Sequence, residues 1–186
     1  MSRLEDAEQI QPTSRAQLRR WLMKNHEASR GVWLVFYTKA SGKPHLPYED
    51  VIRELLCFGW IDSTVRKIDD ERNAMYVAPR KKGGTWASTN KARVKQLIAD
   101  GLMQPAGMAA IERAKKDGSW TILDPVEALE VPDDLAKALR RHPRAKKRYE
   151  ALSKSAKQQV LWSVVSAKRI ETRKARIQKF IEDEEA

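Results

Sequence analysis

At 186 residues the chain is long enough for one ordinary domain, or a domain with a helical appendage. A domain of about 150 residues already buries roughly 70% of its unfolded surface, so no metal or disulfide is needed for stability. The 36 Lys and Arg exceed the 25 Asp and Glu to give a net charge of +11, which favours anionic partners such as nucleic acid, nucleotides or acidic headgroups without choosing among them. Cys57 is the only cysteine, which excludes an intrachain disulfide and suits a reducing compartment. The opening MSRLEDAEQI lacks the apolar core of a signal peptide, and the longest apolar run, VWLVFY, is far short of the roughly 20 residues that span a bilayer. The expectation is a cytoplasmic protein with no membrane span.

In chain order, Thr13 or Ser14 can cap a first helix with Leu18, Trp21 and Leu22 at helical spacing, Ser14 and Gln17 forming a capping box. GVWLVFYTKA, rich in β-branched and aromatic residues, reads as a buried strand followed by the turn SGKP. Glu49 and Asp50 begin a helix with Val51, Leu55 and Phe58 on one face, ended by Gly59. Trp60 to Ile68 is then a strand in which the period of two places Asp62 and Arg66 on one face. DDERN is a hairpin turn and AMYVAPR the returning strand, which gives a short antiparallel sheet. KKGGT breaks the pattern, Ser88 caps a helix carrying Val94, Leu97 and Ile98, and Pro105 starts another that runs to Gly118.

Composition shifts near residue 123. Residues 121–136 carry five acids and no base, and LDPVEALEVPDD, interrupted by Pro125 and Pro132, reads as a linker. The remainder is helical: a segment after Pro132, another from Arg144 to Leu152, and a long helix from about Ser155 in which Val160, Val164 and Ala167 keep helical spacing. Residues 137–179 hold 15 Lys or Arg against Glu150 and Glu171. That stretch fits either a phosphate-neutralising surface or the solvated face of amphipathic helices.

Chemistry-bearing residues gather in the first two-thirds. Asn90 and Arg93 extend the apolar stripe of their helix, and Glu54 lies at the edge of another buried helical face. With Asp62, Arg66, Arg80 and Trp86 they can line one cleft, in which guanidinium forks, an amide and an indole wall suit a carboxylate, a phosphate or a base. The same residues can instead form buried ion pairs, Asp62 with Arg66 or Glu54 with Arg93, that serve only the fold. Cys57 sits between apolar neighbours, and no histidine is spaced to activate it. The acids of DDE at 69–71 lack the alternating spacing of a calcium loop, and KKGG lacks the Gly-Lys-Ser/Thr ending of a phosphate loop. No metal, cofactor or catalytic residue is assigned on this basis.

Three stretches, VWLVFYTKASGKPHLPYEDVIRELLCFGWIDSTVRKIDDER, APRKKGGTWASTNKARVKQLIADGLMQPAGMAAIERAKKDGSW and AKRIETRKARIQKFI, resemble the bacterial YdeI/OmpD-associated family, also labelled bacteriocin-protection proteins. The resemblance implies an α+β domain of the YjbR/CyaY-like kind over residues 1–122 and an all-α helical domain over 123–186. It implies no reaction. It implies a role in resistance to bacteriocins or antimicrobial peptides, which the residues above translate into a non-enzymatic stress protein binding a small anionic ligand or a partner in the N-terminal cleft. The alternative is a nucleic-acid-binding module using the basic C-terminal helices. Family members have been described as periplasmic, and without a signal peptide direct contact with a porin is not expected.

Overall fold

Two compact units, each with its own core, make up the computed structural model, which describes residues 6–183: residues 6–84 with 89–117, and residues 85–88 with 118–183. In the first, Gln9–Ile10 (β1) precedes a helix over Arg15–Asn25 (α1). Ser14 caps α1 by accepting from the Gln17 amide at 3.3 Å, while the Gln17 side chain accepts from the Thr13 amide at 2.8 Å. The apolar run forms the strand Val32–Tyr37 (β2), and Tyr48–Cys57 makes the next helix (α2). Trp60–Lys67 (β3) and Arg72–Pro79 (β4) are joined by a hairpin in which the Asp69 carboxylate accepts from the Glu71 and Arg72 amides at 3.0 and 2.7 Å. That carboxylate is the cap of the turn.

The strand order is β1-β2-β4-β3. Three strands are antiparallel as expected, and the two-residue β1 adds a parallel edge beside β2 that its short, polar sequence does not announce. One sheet face carries Val32, Leu34, Met75, Val77 and Trp60, and α1 reaches it through Trp21, whose ring stands edge-on to that of Trp60 at 5.9 Å. The other face carries Trp33, Val35, Ala74 and Tyr76. Helices over Ser88–Ala99 (α3) and Pro105–Lys116 (α4) follow. Gly107 lets α4 lie against the end of α2, since a Cβ there would stand 2.2 Å from the Cys57 carbonyl oxygen.

The second unit contains Asp124–Glu127 (α5), Asp133–Arg141 (α6), Pro143–Ala151 (α7), Lys154–Val165 (α8) and Ile170–Glu182 (α9). Its core is built from Val126, Leu135, Leu139, Tyr149, Leu161, Val164 and Ile177 among others. The acidic segment is therefore no linker: Val126 and Leu135 are buried, and Leu129 and Val131 pack against the same core while the carboxylates face outward. The long last helix is also two. The break at residues 166–169 contains no Gly or Pro; instead Arg173 and Arg176 of α9 donate to the Val164 and Ser163 carbonyls at 3.0 and 2.6 Å, the Val164 oxygen also accepting from the Ala167 amide at 3.3 Å, so side chains of the next helix help to satisfy the end of α8.

Candidate functional site

The geometry of the N-terminal unit turns on one irregularity in β3. Asp62 stands opposite Val77, but Val65 stands opposite Met75, so Ser63 and Thr64 together face Tyr76 in a β-bulge. The extra residue reverses the alternation. Asp62 lies with Val77 on the face covered by α1 and α2, whereas Arg66, opposite Ala74, lies on the other. The two residues expected on one face are therefore on opposite faces, and no Asp62–Arg66 pair forms. The Arg66 guanidinium stacks over Trp33 instead, 4.0 Å from the ring centroid.

Asp62 accepts from the Tyr48 hydroxyl at 3.0 Å. Beside it, Arg93 of α3 forms a fork with Glu49 of α2, Nε at 2.9 Å from Oε1 and Nη2 at 2.7 Å from Oε2, and its Nη1 donates to the Asn90 amide oxygen at 3.1 Å. A second ion pair, Arg53 with Asp100 at 3.2 Å, ties α2 to the far end of α3. The hydrogen bonds from Arg93 hold the Glu49 carboxyl below its ordinary range, and the carboxylate in turn raises Arg93. Partial burial, then the bond to Asp62, pushes the Tyr48 phenol up, so it stays a donor at neutral pH. Arg80 follows β4 and is 8% exposed, its amide donating to Gly59 O at 2.9 Å. Burial lowers its pKa to about 10, opposed by the negative charge of Asp62.

Of the seven residues read from the sequence, Asp62, Asn90 and Arg93 come together with Tyr48 and Glu49, and Arg80 is coupled to them through Asp62. The other three go elsewhere. Glu54 is fully buried and held by Arg15 at 2.6 Å and Arg19 at 2.9 Å, not by Arg93; Arg19 also donates to Leu102 O at 2.8 Å. This is a clamp between α1 and α2. Arg66 lies on the opposite sheet face. Trp86 belongs to the second unit, 2% exposed, its ring centroid 5.0 Å from that of Trp120. Cys57 is buried, and desolvation followed by the nearby Glu54 charge raises its pKa, the reverse of a nucleophile's environment.

Tyr48 and Glu49 are the members that sequence reasoning missed. Their only signal is position, since Glu49 reads as an ordinary acid in a first helical turn, and the 44-residue separation from Arg93 hides the fork. Chemically, the cluster sets two guanidinium groups, an amide and a phenol around two carboxylates. Such a set recognises planar anions, provided a ligand can compete with Glu49 for Arg93.

An α+β unit with a polar cluster where α2, α3 and the bulged β3 meet, and a separate helical unit, define the class of this chain. Residues 10–110, more than half of it, match the family described as a domain of unknown function, DUF8412, and the chain belongs to that family. Residues 128–185 match the family described as bacteriocin-protection, YdeI or OmpD-associated, so of the three stretches that carry the resemblance only AKRIETRKARIQKFI lies in the match to that family, and the two earlier ones fall outside it. No curated protein and no solved structure matches the chain.

Proposed function

We propose that this is a non-enzymatic, cytoplasmic protein of a stress or antimicrobial-peptide response, related to bacteriocin protection, whose N-terminal unit binds a small anionic ligand beside Asp62, Arg80, Asn90 and Arg93. On the same reading residues 1–122 form the binding domain, of the YjbR/CyaY-like kind, and residues 123–186 the YdeI/OmpD-associated one. The observation that carries it is Arg80: a guanidinium 8% exposed, whose charge burial makes costly and Asp62 favours. An anion brought beside it would lower that cost further. A net charge of +11 repels a cationic peptide, which supports protection that acts through a ligand or partner rather than by capturing the peptide.

The test is thermal denaturation with inorganic phosphate, nucleoside monophosphates, phosphosugars and citrate. A ligand at a hundred times its Kd should stabilise the wild type by about 2.7 kcal/mol. Arg93→Ala should abolish that gain, and Glu49→Gln, by freeing the Arg93 fork, should increase it. In the absence of ligand, Arg93→Ala should cost less than about 1 kcal/mol, because its bridge to Glu49 is open to solvent. If no compound stabilises the wild type, or if both variants respond as the wild type does, the reading is wrong.

A further inference from the structure

The helical unit carries a groove of about 620 Å³ between α6 and α9. Its walls are two stripes at helical spacing: Lys137, Ala138 and Arg141 on one helix, Ile170, Lys174 and Ile177 on the other. Ile177 is buried at the base, while Ile170 is 66% exposed, the most exposed large apolar side chain among the described residues. Arg173 cannot serve a ligand, because it is committed to Asp134 at 2.6 and 2.9 Å and to Val164 O at 3.0 Å. That cross-link sets the spacing of the two helices. Lys137, Arg141 and Lys174 form no ion pair among the described residues and leave the rim strongly positive.

We propose that this groove is a docking site for an acidic amphipathic helix of a partner protein. Aliphatic side chains of that helix sit on Ile170, Ala138 and Ile177, and its flanking carboxylates meet Lys137, Arg141 and Lys174, the arrangement of a helix laid in a groove. Charge complementarity selects the sign of the partner, and the apolar floor selects its class. A nucleic acid gains from cations and from aromatic rings on which bases stack, and no aromatic side chain lines this groove. An aliphatic floor gives a phosphate backbone nothing.

The probe is a fluorescein-labelled 15-residue synthetic helix with Leu at positions i, i+3, i+4 and i+7 and Glu or Asp at most others, titrated with the full chain by fluorescence anisotropy. A scrambled peptide of the same composition and a single-stranded DNA of equal charge are measured beside it. The patterned peptide should bind at least tenfold more tightly than the scrambled one. Ile170→Glu, at an exposed position, and Arg141→Glu should each weaken it tenfold or more, whereas Lys154→Glu, an equal charge change outside the groove, should leave it within twofold. Equal binding of patterned and scrambled peptides would reduce the groove to a charge effect and overturn the proposal. Displacement of the peptide by DNA, with loss of DNA binding in Ile170→Glu, would assign the surface to nucleic acid. A concentration-dependent dimer in light scattering that Ile170→Glu dissolves would assign it to a second copy of the chain.

Discussion

Glu54 shows how little of a side chain's role its spacing reveals. Helical period places it on a buried face, but its partners Arg15 and Arg19 lie 39 and 35 residues earlier, beyond any local pattern. The two arginines are partly exposed and can turn to water; the carboxylate cannot. Removing both arginines should therefore strand a buried charge and cost about 3–5 kcal/mol, whereas Glu54→Gln, which keeps the shape and one of the two acceptors, should cost about 1–3 kcal/mol. Chemical denaturation of the two variants measures the difference, and equal losses would refute the asymmetry. Asp62 and Arg66 teach the complementary lesson. Each residue type was chosen correctly as polar and partly buried, and the pairing failed only because one extra residue stands between them in the bulge.

At the scale of elements the agreement is closer, because hydrophobic period and end signals are local. The strands at Val32–Tyr37, Trp60–Lys67 and Arg72–Pro79 and the helices α1 to α4 lie where the pattern puts them. What escaped were ends made by distant groups: arginines of α9 cap α8 within what reads as one long helix, and apolar residues interleaved with acids fold the supposed linker into a core. Gly107 belongs here too. Its meaning is the approach of α4 to α2, so Gly107→Ala should force those helices apart and cost about 3 kcal/mol, read as a lower Tm. The tie between α6 and α9 gives a pH dependence. Hydrogen bonds from Arg173 depress Asp134 in the folded state, so its contribution is present above the unfolded value, about 3.9, and is lost as pH falls through the folded one. Both groups are partly exposed, which limits it to less than about 1 kcal/mol. The Tm gap between wild type and Asp134→Asn should be open at pH 7 and narrow as the pH falls below the unfolded value.

For the molecule as a whole, the chain enters its C-terminal unit twice. Residues 85–88 belong there, with Trp86 against Trp120 and the Ser88 amide donating to the Glu127 carboxylate at 3.0 Å. A large indole after KKGGT was read as a cleft wall because nothing local distinguishes a wall from a core. Trp86→Ala should accordingly cost about 3–5 kcal/mol without any ligand, and differential scanning calorimetry should show that loss. The bulge in β3 has a bearing on solubility as well. β3 is an edge of the sheet and carries Val65, 55% exposed, so a regular ladder there would offer a growing template to the edge of another molecule. Two residues facing one interrupt that template at mid-strand. A chain shortened by Thr64 would pair residue for residue along β4, with Asp62 and Arg66 still on opposite faces, and would lose the interruption: the same extra residue that hides the site's geometry from the sequence breaks the edge along which neighbouring copies could pair.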